Sequence, residues 1–129
     1  MFKEVQEFIE DNLDLIDQEN WYKIFAKGYQ QYTQYFWEDF FTTLKLANIS
    51  TDNAKNAMIM HMLDTIGNEI LYCENEDLLP MSLKSICNRV DIDHYMLDLD
   101  TVVMHTKRAF EKGYFSSVKL DENDWVHIK

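Results

Sequence analysis

The chain has little that breaks structure. One proline (Pro80) and three glycines stand among 129 residues. With no stretch rich in Ser, Gly or Pro, this composition excludes a flexible linker or low-complexity segment, so residues 1–129 are expected to fold as a single domain. Cysteine is scarce too: Cys73 and Cys87 stand fourteen residues apart. No Cys or His near them has metal-ligand spacing, and they read as two small buried hydrophobes, neither a disulfide nor a zinc site. No apolar run approaches the ~18 residues that cross a bilayer. The start, MFKEVQEFIEDN, lacks the basic and apolar regions of a secretion signal. A soluble, cytoplasmic protein with no membrane partner is expected.

Positive charge is the next shortage. Twelve Lys/Arg face 23 Asp/Glu, a formal net charge of −11. Residues 1–73 carry five cations against twelve anions, and residues 74–129 carry seven against eleven. Such a body repels polyanions on average and disfavours nonspecific binding to nucleic acid or anionic membrane. Catalytic signatures are missing as well: the sequence has no Gly-rich phosphate loop, G-x-S-x-G, H-E-x-x-H or C-x-x-C. Its four histidines (His61, His94, His105, His127) are scattered. The pair Glu38-Asp39 is adjacent on a helix, so its carboxylates point about 100° apart and cannot both face one reacting atom. The reading is a non-enzyme without cofactor or metal.

What the chain does have is aromatic density. YQQYTQYFWEDFF, residues 29–41, holds seven rings in thirteen residues. Apolar spacing is helical on both sides of it. Phe2, Val5, Phe8 and Ile9 fit one face of a short first helix that ends near Asp11-Asn12. Asp17 is expected to cap a second helix, with Ile16 and Trp21 as a hydrophobic staple, and nothing then stops that helix until about Ala47. On this rod of roughly thirty residues, Phe25, Tyr29, Tyr32, Phe36, Phe40 and Thr43 form one stripe, and Trp37, Phe41 and Leu44 a second about 100° away. Two stripes need two covers, and a copy of the same chain is one candidate cover for the second. Tyr35 and Trp37 lie off the main stripe and are read as an exposed aromatic patch for a protein partner.

Ser50 or Thr51 then caps a third helix with Ile59, Met62, Leu63, Ile66 and Ile70 on one face. A shorter helix after Pro80 gathers Leu83, Ile86, Cys87 and Val90. Asp100 is expected to cap a fifth helix, with Leu99 and Met104 as a staple and Gly113 at its C-terminal end. The end of the chain changes period: Phe115, Val118 and Leu120, then Trp125, Val126 and Ile128, flank DEND as a hairpin with a four-residue turn. The expected fold is mainly α, a helical bundle around one long aromatic-rich helix. A helical part, 1–73, grades into a winged-helix-like part, 74–129, that ends in a short β-hairpin.

From about Glu76, EDLLPMSLKSICNRV, DLDTVVMHTKRAFEKGYF and VKLDENDWVHIK resemble the winged-helix N-terminal domain of phage replisome organisers. In that family an LP-containing start, a Ser/Leu helix, a D-T-V helix ending in F-x-x-x-G and a short wing recur. The chain departs from the pattern in its long connection Asp91–Leu99 and in Phe110 lying three residues before Gly113. The resemblance implies a mobile-element origin and a recognition helix on which His105, Lys107, Arg108 and Lys112, with Lys119 in the wing, would contact phosphates. The opening section, from FIEDNLDLIDQENWYKIF to WEDFFTTLKLANIS, is similar to small helical modules of phage proteins.

The carboxylates suggest a different role. Glu4, Glu7 and Asp11 share a helical face, and Asp14, Asp17 and Glu19 follow closely. Such a run reads as a solvated face or, as the sharper alternative, as a surface that imitates nucleic-acid phosphates and suits the cationic surface of a nucleic-acid-handling protein, with fast charge-steered association. The sequence therefore points first to a phage-type inhibitor of such a protein, an acidic nucleic-acid mimic of the anti-CRISPR kind. Direct DNA binding by the winged-helix-like part is the alternative, and the acidity disfavours it.

Overall fold

A computed structural model describes residues 2–28 and 31–129. It is mainly helical with one small antiparallel sheet. It divides into two compact units, Met1–His61 with Asp93–Met96, and Met62–Ile92 with Leu97–Lys129.

In the first unit α1 (Phe2–Asp11), α2 (Leu13–Asp17), α3 (Trp21–Gly28) and α4 (Gln34–Leu46) follow one another. Helix α1 buries Val5 and Phe8, as its apolar spacing requires. The Phe8 ring meets Tyr32, Phe36, Trp37 and Phe40 edge-to-face, with centroids 5.4 to 5.8 Å apart. Each such pair adds about 0.5–1.5 kcal/mol beyond the area it buries. Of the aromatic stretch, Phe36, Trp37 and Phe40 are core, Tyr32 and Phe41 are half-buried and Tyr35 is exposed; Tyr29 lies outside the described residues.

The expected thirty-residue rod is two helices. A straight rod leaves two apolar stripes to be covered by other elements, whereas a break lets the chain cover itself. Phe25 of α3 meets Trp37 of α4 at 5.3 Å and Phe41 at 6.1 Å. Gly28 makes this approach feasible, since a Cβ there would sit 2.6 Å from Cζ2 of Trp37. The Gly28 carbonyl accepts from the N–H groups of Gln31 and Tyr32 (3.1 and 3.0 Å), and Thr33 is extended before α4 begins. The start signal is also corrected. Asp17 closes α2, Glu19 takes a positive φ of 54°, and the Asn20 carbonyl accepts the Ile24 N–H to open α3.

Helix α5 (Ala54–Asn75) contributes through His61 to the first unit and from Met62 to the second. Met62, Leu63, Ile66 and Ile70 are buried as the period demands, and Ile59 is half-buried.

The second unit continues with β1 (Met81–Ser82), α6 (Leu83–Asn88), α7 (Leu99–Glu111), β2 (Val118–Leu120) and β3 (Trp125–Ile128). Leu83, Ile86, Cys87 and Val90 are buried. Both cysteines are free thiols. Asp98, not Asp100, caps α7: its carboxylate accepts the Thr101 N–H at 2.7 Å. Gly113 closes α7 with φ +78°, the Gly113 N–H bonding Phe110 O and the Tyr114 N–H bonding Ala109 O. These are the two bonds of a glycine-terminated helix end. The hairpin forms around residues 121–124, but it belongs to a three-stranded sheet of order β1-β3-β2. Met81 pairs Val126 and Ser82 pairs Trp125. A two-residue strand has no period to read, and for that reason β1 was not expected.

Candidate functional site

The carboxylate face belongs to the first unit. Glu4, Glu7 and Asp11 are exposed on α1, where spacings of three and four residues bring them to one side. They also share an electrostatic neighbourhood. The Tyr32 phenol is pushed above its ordinary value, first by burial and then by the charges of Glu4, Asp11 and Glu7. Asp14 and Asp17 are exposed on α2, and exposed Glu19 accepts a hydrogen bond from Asn53 at 2.8 Å. Asp11 ends α1, which has no basic residue in its last turn. A carboxylate there opposes the helix dipole, so its position is not explained by helix stability.

The expected aromatic patch is reduced. Tyr35 is exposed to 67 %, but Trp37 is only 1 % exposed, enclosed by Phe8, Phe25, Phe36 and Phe40. Trp37 is therefore a core residue, and only Tyr35 remains at the surface. The off-stripe position of Trp37 was legible, but the cover supplied by α3 was not, because it depends on the break after Gly28.

In the second unit the cationic residues divide. Arg108 is exposed in the last turn of α7, Lys112 is exposed at the C-cap just beyond it, and Lys119 is exposed on β2. Lys107 donates to the Asp124 carboxylate at 3.1 Å, and half-buried His105 also has interaction partners. Lys107 and Lys119 line a groove of about 430 Å³ between α7 and the hairpin, but Glu111, Asp121, Glu122 and Asp124 line it as well. The anions offset the lysines, so the groove offers no continuous phosphate track.

Sequence reasoning missed what organises the hairpin end of this groove. The Asp121 carboxylate accepts the Asn123 N–H (2.8 Å), the Trp125 N–H (2.9 Å) and the His127 imidazole (2.7 Å). The Trp125 bond first, then the His127 bond, hold its carboxyl below the usual carboxylate value. The first Asp of DEND was the available signal, since Asp side chains commonly bond backbone N–H groups two residues on. Also missed was a buried pair in the first unit, His61 Nδ1 and the Tyr95 hydroxyl at 2.9 Å.

Among the described residues no cluster of three His, Cys, Asp or Glu is arranged to hold a metal ion. No described helix is long and apolar enough to cross a membrane. Comparison with protein-family models, curated proteins and solved structures finds no match to the chain.

Proposed function

We propose that this is a non-enzymatic interaction protein that docks its carboxylate face on the cationic surface of a nucleic-acid-handling protein and blocks it. The observation that carries the reading is the gathering of Glu4, Glu7 and Asp11 on one exposed face around Tyr32. Asp14, Asp17 and Glu19 extend it, and Asp11 sits where helix stability alone would favour a cation. A nuclease, a polymerase or a CRISPR effector offers the complementary channel, and the resemblance to phage replisome organisers suits a mobile-element setting. Charge of this density steers encounter and confers specificity more than it adds raw affinity. Affinity capture from a host lysate, with and without nuclease treatment, tests the proposal. A protein partner retained after nuclease treatment, and lost when Glu4, Glu7, Asp11, Asp14 and Asp17 are changed to Lys, is the expected result. Capture that survives the reversal, or that needs nucleic acid, overturns it.

A second reading is favoured by one specific observation. From α5 onward the order is helix, strand, helix, a 3-10 turn over Ile92–Tyr95, helix, hairpin, with the first strand paired to the last. That order supports a winged-helix reading, in which α7 would enter the major groove with Arg108 and Lys112 exposed. Against it stand the seven Lys/Arg and twelve Asp/Glu of this unit and the carboxylates around Lys107 and Lys119. Duplex binding at ~50 mM salt that weakens in Arg108→Ala and Lys112→Ala, with a shallower salt slope, would favour this reading over the first.

A further inference from the structure

Helix α4 keeps one face in solvent from end to end. Tyr35, Asp39, Thr42 and Leu46 stand at i, i+4, i+7 and i+11, and all four are exposed, as are Glu38 and Lys45. At about 100° per residue the first four fall within roughly 60° of arc, a seam of the coiled-coil type, and Glu38 and Lys45 lie together on one flank of it. Phe36, Trp37, Phe40 and Leu44 are buried on the other side of the helix. The stripe of Trp37, Phe41 and Leu44 needs no second chain as cover, since Trp37 and Leu44 are buried and Phe41 is half-buried. The outer seam is different. Tyr35 is 67 % and Leu46 81 % exposed, the two most exposed large apolar side chains among the described residues. They stand at opposite ends of the seam, about 16 Å apart along the axis. Glu38 and Lys45 are seven residues apart, beyond the three- or four-residue spacing at which side chains of one helix pair.

We infer that two copies of this chain associate through this face, α4 against α4 in antiparallel order about a two-fold axis. An isologous contact needs a self-complementary surface, and the order of side chains along the seam supplies one. With the axis between Phe40 and Phe41, Tyr35 of each copy stands opposite Leu46 of the other, so the exposed apolar ends cover each other. Asp39 stands opposite Thr42, whose hydroxyl can donate to the carboxylate. The two-fold also brings the two charged flanks to the same side, where Lys45 lies about 3 Å along the axis from the level of the other copy's Glu38. That is within reach of an ion pair. Parallel order would set Glu38 against Glu38 and Lys45 against Lys45 and would align the helix dipoles, whereas antiparallel order opposes them. The formal charge of −11 on each copy works against association, but salt screens exposed charges beyond about 8 Å, and the pairs in the seam meet at contact distance. One thirteen-residue helix from each copy is a small interface, so the dissociation constant is expected near about 0.1 mM. The apolar ends supply the affinity, and the exposed charges set orientation and register. This inference does not depend on the carboxylate face of α1.

Sedimentation equilibrium on the full chain, from about 10 μM to 1 mM protein at about 0.15 M salt, tests the inference. A monomer–dimer equilibrium is the expected result. Leu46→Ser, which removes one apolar end from each copy, should weaken it about tenfold or more. Lys45→Glu and Glu38→Lys each bring like charges together twice in the dimer and should each weaken it about fivefold. The double exchange Glu38→Lys/Lys45→Glu restores both pairs with their signs reversed and should regain most of the affinity. All three positions are exposed, and an unchanged far-UV circular dichroism spectrum is expected for every variant. Three results each overturn the inference: a monomer at every concentration, which would leave the face to a different protein; a dimer indifferent to Leu46→Ser; or a double exchange no tighter than the single ones.

Discussion

Gly28→Ala tests the packing that divides the aromatic stretch into two helices. The new Cβ would lie 2.6 Å from Cζ2 and 2.7 Å from Cη2 of Trp37, about 1 Å inside ordinary carbon contact. The indole has little room to retreat, being 1 % exposed and bounded by Phe8, Phe25, Phe36 and Phe40. Forcing a methyl into a filled core costs about 1–3 kcal/mol. Against this, alanine gains at most about 1 kcal/mol over glycine in a helix, so a net loss of about 1–2 kcal/mol is expected. For a chain of this length, that lowers Tm by roughly 3–8 °C. Thermal unfolding followed by far-UV circular dichroism measures it. A second variant, Trp37→Phe, removes the ring atoms that the methyl meets. The double variant Gly28→Ala/Trp37→Phe should therefore lose less than the sum of the two single changes, by about 1 kcal/mol. If Gly28→Ala is as stable as the parent, or if the two effects simply add, the close approach of Trp37 to Gly28 is refuted.

Asp98→Ala removes the carboxylate that accepts the Thr101 N–H and is expected to lower Tm by roughly 2–5 °C, whereas Asp100→Ala changes it little; the reverse order would restore Asp100 as the cap. The Thr101 bonds hold the Asp98 carboxyl below its usual value, as the Trp125 and His127 bonds hold Asp121. A depressed carboxyl contributes stability above the unfolded carboxylate range and loses it as pH falls through the folded value. Unfolding midpoints should therefore fall below about pH 4, and Asp121→Asn should remove part of that slope. Burial pushes the Cys87 thiol up to about 11 and also raises Cys73, although Arg89 opposes the latter. Neither thiol should react with iodoacetamide at neutral pH until the protein is unfolded, and rapid labelling of the native chain would contradict their burial.

The helical periods of α1, α5 and α6 were legible because each buries a single face, and a single face leaves a clean repeat. The DEND hairpin was legible because the period changes on either side of it. What the sequence concealed depends on contacts distant along the chain. Nothing local to Gly28 announces that Trp37, nine residues on, occupies the space of its missing side chain. Asp98 and Asp100 are equally good caps by type, and only the observed helix start separates them. Strand β1 owes its two residues to β3, more than forty positions later. Of the candidate surfaces, the carboxylate positions on α1 followed from spacing alone, since exposed charge obeys the helix period. The offsetting of Lys107 by Asp124 did not, because the two meet only once the hairpin folds beside α7.

The central claim concerns the charge of one face. Its most direct measurement is the association rate between this protein and the partner recovered by capture, followed as ionic strength rises from about 50 to 300 mM. A rate that falls tenfold or more across that range is the expected result, together with loss of that dependence when Glu4, Glu7, Asp11, Asp14 and Asp17 are changed to Lys. A rate indifferent to salt, or one that the five reversals leave untouched, would contradict the claim.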